Sequence, residues 1–414
     1  MPSSYDVTSA QLSASLSHDG VNPATVTEIL NYLTSQGDFS GPSGTVVVQD
    51  GGYPPFVKDS NGALPQVVIV NGAGPVTFDD GAGGDPNLQV IVDVDANVTV
   101  KGDKNELVVV GDDTNTVHLK DSGNDIVLAG DGQNTIVGGA GSDTIIAGDG
   151  DRDSLHAGTG AYQSLHAGDG NFDTLIGGSG AWDTLTAGDG QADSLKAGDG
   201  SHQSLQAGDG NFDTLIGGSA AWDTLTAGDG QADSLKAGDG SHQLLQAGDG
   251  SDDSLIGGSG AWDTLTAGDG QADHLRAGDG SHQSLQSGSG SFDTLIGGSG
   301  AWDTLTAGDG HEDVLRGGSG AHQLLQAGNG GDTLIAGTGG DTLDGGSGSD
   351  LFKVGGAGND TIHGGGGTNT LEFTDAKASD VASTSHHGGV TTLTFDDGQE
   401  VSYSGIQTVK FDGH

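Results

Sequence analysis

Aspartate is the residue type in this chain best suited to do chemistry, and it recurs at fixed intervals. Asp153, Asp173, Asp193, Asp213, Asp233, Asp253, Asp273, Asp293 and Asp313 are spaced by twenty residues, and Asp143, Asp332, Asp341, Asp350 and Asp360 stand in shorter, nine-residue units. Of 58 acidic residues only five are Glu, leaving 53 Asp. Glutamate suits helices, whereas the short aspartate side chain favours turns and offers the hard oxygens that hold Ca²⁺. A formal net charge of −46 opposes any compact fold unless something neutralises it. The same charge excludes nucleic acid as a partner. A carboxylate at an invariant repeat position marks a structural ligand rather than an acid–base pair.

The elements that must position these carboxylates follow from the periodicity. The chain has 414 residues, and its 81 glycines are strictly periodic, which disorder does not need. Nine-residue units of the form G-G-x-G-x-D-x-U-x, with U a large apolar residue, occupy 129–137, 138–146, 327–335, 336–344, 345–353 and 355–363. Between them, residues 147–326 form 18 ten-residue units, [AG]-G-x-G-x-x-[DQ]-[ST]-L-x. The extra residue falls between the last Gly and the Asp, inside the turn. Position 9 is Leu throughout, from Leu155 to Leu325. Glycines at alternate positions allow positive φ and a sharp turn. One inward Leu per short strand is too little to fold a coil alone, so coils stacked ~4.8 Å apart must join these leucines into one core. The expected fold is all-β: a parallel β-roll or β-solenoid with Gly-Asp turns, a short N-terminal helix and β-rich caps at both ends.

The nine-residue units resemble the calcium-binding repeats of RTX (repeats-in-toxin, hemolysin-type) proteins. The clear likeness covers roughly residues 121–371. It implies that two repeats make one coil, and that turn carbonyls and the Asp carboxylate bind Ca²⁺ between successive turns. Bound calcium would then supply much of the folding free energy. The alternative is a metal-free solenoid with solvated Asp turns. The ten-residue units depart from the family pattern in their turn length.

A 40-residue super-repeat groups the decapeptides at 171–210, 211–250, 251–290 and 291–330. With two decapeptides per coil, one edge carries Asp in every coil. The opposite edge alternates Gln163, Asp183, Gln203, Asp223, Gln243, Asp263, Gln283, Asp303 and Gln323. Gln keeps an oxygen but loses the charge, so a calcium column there should be incomplete or weaker. The residue before each member of this second column reads Tyr162, Trp182, His202, Trp222, His242, Trp262, His282, Trp302, His322, which includes all four tryptophans. It reads either as a docking ladder for a partner, another copy or a sugar ring, or as packing that covers the turn. Histidines two coils apart, ~9–10 Å, cannot share one metal ion.

The ends frame the repeats. Within 1–44, residues 22–34 read as an amphipathic helix capped by Asn22, with Val26, Ile29, Leu30 and Leu33 on one face. Residues 45–128 read as an irregular β-rich solenoid leading into the regular one at 129–371, with a capping or anchoring role. Residues 372–414 resemble the terminal cap and secretion region of RTX proteins. His386 and His387 read as part of a loop and take no role. The absence of Cys excludes disulfides and thiolate metal sites. No apolar run approaches a membrane span, so membrane insertion is not expected. The opening MPSSYDVTSA lacks a basic-then-apolar signal, which with the resemblance implies type I export. No hydrolase, P-loop or dinucleotide motif is present, and no enzyme activity is expected. The expectation is an extracellular or cell-surface Ca²⁺-stabilised structural protein that self-associates into filaments, a surface layer or biofilm matrix. The alternative is an adhesin or a glycan- or ice-binding module. Ice binding needs a regular Thr array, and Thr184/Thr186, Thr224/Thr226, Thr264/Thr266 and Thr304/Thr306 occur only in every second coil.

Overall fold

A computed structural model describes residues 3–18, 21, 23–36, 39, 45–50, 66–70, 74–79, 90–93, 96–120, 122–355 and 358–411. The chain divides into two units, 1–204 and 205–414. Each is a parallel β-solenoid with two sheets, one strand of each per coil.

In the first unit the inward row of one sheet runs Val68, Ile91, Val108, Val127, Ile145, Leu165, Leu185, each paired with the next in parallel register. The other sheet carries Val76, Val98, Val117, Ile136, Leu155, Leu175, Leu195 in the same way. The irregular strands after residue 45 are thus coils in register with the regular ones. All these inward side chains are buried, and one apolar residue per short strand suffices because each lies directly on its neighbours in adjacent coils.

The amino-terminal end is closed by three elements: β1 (Ser3–Thr8), α1 (Ser9–His18) and α2 (Pro23–Ser35). β1 pairs antiparallel with β2 (Thr45–Asp50), which pairs on its other side with β3 (Val67–Val70). β1 therefore covers the outer edge of β2. Leu12, Leu16, Val26, Ile29 and Leu33 pack on Val48, Val67, Ile69, Val92, Leu107, Val109 and Leu128. These are the outward residues of that sheet, so β3 and the strand Leu107–Val110 are buried on both faces. That explains their unbroken apolar runs, VVIV and LVVV. Helix α2 matches the expected segment, while the proposed cap Asn22 lies outside the described residues. Helix α1 was not expected. Its sequence, SAQLSASLSH, shows only Leu12 and Leu16 as large apolar residues, and both are buried.

In the second unit the inward rows run Leu215, Leu235, Leu255, Leu275, Leu295, Leu315, Leu334, Phe352, Leu371 and Leu225, Leu245, Leu265, Leu285, Leu305, Leu325, Leu343, Ile362. The last coil is made by Glu400–Ser404 on Thr361–His363 and Thr408–Phe411 on Thr370–Phe373. The antiparallel strands Val381–His387 and Val390–Phe395 fold onto this coil. Phe373 sits between Phe395 and Phe411, with ring centroids 5.3 and 4.9 Å away. His386 and His387 are in an exposed strand rather than a loop, because their backbone pairs with Thr391 and Val390.

The glycines serve a purpose beyond the one their spacing suggests. In the decapeptides it is the inserted residue that adopts the left-handed conformation, at φ 60° to 72° in every unit from Arg152 to His322. This orientation turns its N–H toward the next coil, as in Phe172 to the Gln191 carbonyl (2.9 Å) and Trp222 to Ser241 (3.1 Å). Many turn glycines have ordinary φ and are small for a different reason. At Gly270 a methyl group would overlap the Gly250 carbonyl of the preceding coil.

A left-handed alanine costs ~1–2 kcal/mol relative to an unstrained one, and glycine removes this while loosening the unfolded chain by ~0.4–1 kcal/mol. Ala192→Gly, Ala232→Gly and Ala272→Gly are therefore each expected to stabilise the chain by up to ~1 kcal/mol. Gly270→Ala is expected to destabilise it by several-fold more. Denaturant midpoints of the four variants check both signs.

Candidate metal sites along the two turn edges

From Thr116 to Phe373 each strand begins immediately after an Asp, Gln or Asn that lies beneath the Gly-rich turn. Every predicted ligand is buried: Asp143, Asp153, Asp173, Asp193, Asp213, Asp233, Asp253, Asp273, Asp293, Asp313, Asp332, Asp341, Asp350 and Asp360 are at most 2% exposed. These repeat-position carboxylates are thus out of solvent, whereas other turn aspartates such as Asp149 and Asp169 are exposed. The register places the carboxylates in columns, since residues twenty apart pair across adjacent coils.

Along the first edge each carboxylate bridges coils. The Asp153 N–H donates to Asp173 Oδ1 (2.8 Å), and Asp173 donates to Asp193 Oδ1 (2.8 Å). In the second unit the chain of bonds runs from Asp213 through Asp233, Asp253, Asp273, Asp293, Asp313 and Asp332 to Asp350, and ends on Asn369 Oδ1. The other oxygen is left over. Oδ2 of Asp153, Asp173, Asp233, Asp253, Asp273, Asp313, Asp332 and Asp350 is buried with no hydrogen-bond partner. A buried carboxylate oxygen without a donor carries a large desolvation penalty unless a cation or proton meets it.

The second edge is wired differently. Asp183, Asp263, Asp303 and Asp341 accept the backbone N–H of the preceding coil's Gln at Oδ1 (3.0–3.1 Å). Their Oδ2 also accepts a turn N–H, from Gly178, Gly258, Gly298 and Gly337 (2.8–3.1 Å). Asp143 likewise takes Gly139 N–H (2.8 Å). On the first edge the glycine at the corresponding turn position is left-handed in some coils, for example Gly168 and Gly288 at φ 89° and 75°. The sorting follows the edge and not the repeat length, because the nonapeptide residues Asp332 and Asp350 behave as first-edge residues while Asp143 and Asp341 behave as second-edge ones.

Burial pushes the acidity of these groups down. The carboxyls of Asp153, Asp173, Asp193, Asp253 and Asp273 are pushed up to about 7, by burial first, with the inter-coil N–H bonds opposing. Asp233, Asp313, Asp332, Asp350 and Asp360 rise to about 6 for the same reason. Neighbouring aspartates in the column add to the rise at Asp173 and Asp253. Among the described residues no three His, Asp or Glu side chains converge on one point. A cation held here would combine one carboxylate with backbone carbonyls, which suits the oxygen-rich shell of Ca²⁺. Asp153, Asp173, Asp233, Asp253, Asp273, Asp313, Asp332 and Asp350 fit that ion because each has an oxygen to give. When bound, the ion would supply positive charge between stacked carboxylates and no reactive chemistry.

The aromatic column lies on the second edge, as expected. Trp182, Trp222, Trp262 and Trp302 are 49–55% exposed. Each stacks on the histidine of the next coil: Trp182 on His202 (4.1 Å), Trp222 on His242 (4.2 Å), Trp262 on His282 (4.2 Å) and Trp302 on His322 (4.5 Å). The ring faces are turned along the coil axis and cover one another, so the column presents ring edges outward.

Comparison with known families finds the RTX calcium-binding nonapeptide repeat (4 copies) at residues 121–153, 324–352 and 354–373. No curated protein matches the chain. The match falls on the nonapeptide flanks and skips the decapeptide centre, where the left-handed insertion lengthens each turn. The chain carries calcium-binding RTX repeats, and proteins with such repeats are generally secreted.

The direction of these shifts fixes the pH dependence of the metal-free chain. A carboxyl raised from 3.8 to about 7 on folding binds more protons in the folded state, so stability is highest below pH 4 and falls as pH rises to 7. In chelator the melting temperature is therefore expected to fall between pH 5 and pH 8. Saturating Ca²⁺, which takes the ionised carboxylates, should remove or reverse this slope, as a pair of melting series would show.

Proposed function

We propose that this chain is a non-enzymatic, calcium-stabilised β-solenoid that acts as an extracellular structural protein and self-associates laterally through its regular faces. The RTX repeats and the spare Oδ2 atoms of first-edge carboxylates such as Asp173, Asp253 and Asp273 support the calcium dependence. The surface periodicity supports assembly. On the outer face of the first-edge sheet in the second unit, the register aligns Ile216, Lys236, Ile256, Arg276, Ile296, Arg316, Ile335 and Lys353 in one row. Only 12 basic residues oppose 58 acidic ones in the whole chain, so four in one row is a marked concentration. Alternating apolar and cationic side chains suit a partner face that is itself acidic and regular, which a second copy provides. The I/K/I/R alternation at position 10 of first-edge repeats is the trace of this row in the sequence.

A binding module that stacks sugar rings on the tryptophans is less well supported, because the Trp–His stacks close the ring faces. The ice-binding alternative is weakened by the register, which sets Thr264/Thr266 between Leu244/Gln246 and Ser284/Gln286.

Excess EGTA is expected to remove much of the β-sheet circular dichroism at low salt, since a ligand that binds only the folded state stabilises it by about 2.7 kcal/mol at a hundredfold excess over Kd. Identical spectra and melting temperatures with and without Ca²⁺ would refute the calcium reading. For assembly, Lys236→Ser, Arg276→Ser, Arg316→Ser and Lys353→Ser together should leave the calcium-loaded fold intact and abolish filaments or sheets in electron micrographs. Unchanged assembly by this variant would refute the proposed face.

A further inference from the structure

The second edge holds side chains that do not fit a cation in every coil, and their hydrogen bonds say what they do instead. In each of five coils a glutamine amide lies between two stacked turns. Gln243 Oε1 accepts the N–H of Gly238 in its own turn (2.7 Å), while Nε2 donates to the carbonyls of Gly218 and Ala220 in the preceding coil (both 3.2 Å). Gln163 repeats this with Gly158, Gly139 and Gly141, and Gln203 with Gly198, Gly178 and Gly180. Gln283 and Gln323 do so with Gly278, Gly258, Gly260 and with Gly318, Gly298, Gly300. All five are 1% exposed.

A cation between turns would have to draw together the carbonyls of one coil and the anchoring side chain of the next. The glutamine amide does both with one neutral group: its NH₂ supplies two donors to the carbonyls, and its own oxygen is held by the turn. Asn134, one methylene shorter and in a nine-residue unit, donates to Gly130 and Gly132 of its own turn. Asp cannot donate at all when ionised.

We propose that Gln163, Gln203, Gln243, Gln283 and Gln323 are built-in cation surrogates that clamp alternate gaps of the second edge without metal. Resting on the calcium reading above, it follows that calcium loads asymmetrically, along the first edge. The clamp also lowers the charge of the second column, because consecutive carboxylates there are separated by a neutral amide.

The test compares the full chain with a variant carrying Gln→Asp at all five positions, by equilibrium dialysis with Ca²⁺ and by melting in EGTA. The expected result is up to one additional calcium ion per substituted glutamine, with a melting temperature in EGTA several degrees below the parent's and a gap that narrows in millimolar Ca²⁺. Equal stoichiometry and equal melting in EGTA would overturn the proposal. Should the five-fold variant fail to fold, Gln243→Met keeps the length and removes the amide's hydrogen bonds without adding charge. A lower melting temperature in EGTA for this single variant supports the clamp, and parental melting overturns it. A parent chain that binds no calcium would refute the calcium reading and the asymmetry. The EGTA comparison would still decide whether the amides hold the coils together.

Discussion

The stacking of buried carboxylates one coil apart governs the rest of this molecule. Parallel strands in register place equivalent residues of adjacent coils directly over one another, so a turn Asp repeated every coil becomes a column of like charges under a low-dielectric cover. The fold tolerates the column because the carboxylates accept a backbone N–H from the preceding coil. That satisfies one oxygen. What meets the other oxygen decides the behaviour of each edge: a turn glycine N–H on the second edge, and no protein donor along most of the first.

Around this constraint the solenoid is otherwise thin. Its core is one aliphatic side chain per strand, and its coils approach so closely at the turns that several glycines have no room for a Cβ. The decapeptides add a left-handed non-glycine residue, an unfavourable conformation offset by an inter-coil hydrogen bond from its own N–H. Because that residue points outward, its identity is free to vary. The chain uses the freedom on the second edge to build Trp–His stacks and on the first to place Phe, Ala and charged residues.

The two edges thus reach stability by different chemistry within one backbone architecture. Where the position is Gln, the link between coils is an amide with donors and an acceptor of its own. Where it is Asp on the first edge, the link is incomplete without an added positive charge or a proton. A solenoid built this way keeps part of its inter-coil bonding when calcium is scarce and gains the remainder when it is plentiful.

Much of this was legible in the residues alone. The periods of nine, ten, twenty and forty determine the parallel register, because only that register buries one Leu per strand. They thereby assign Asp153 through Asp313 to one edge and the Gln/Asp alternation to the other. The helix at 23–35 was visible from Val26, Ile29 and Leu33. Other features depended on tertiary structure. Helix α1 has too few apolar residues to announce itself and is held by the sheet face it covers. His386 and His387 form a strand because Val390–Phe395 pairs with it. Whether a carboxylate has an oxygen to spare depends on whether a turn N–H faces it, as Gly178 faces Asp183, and that is decided only in the folded turn. The reach of the Gln amide to the preceding coil likewise depends on the spacing of stacked turns, which no single repeat contains.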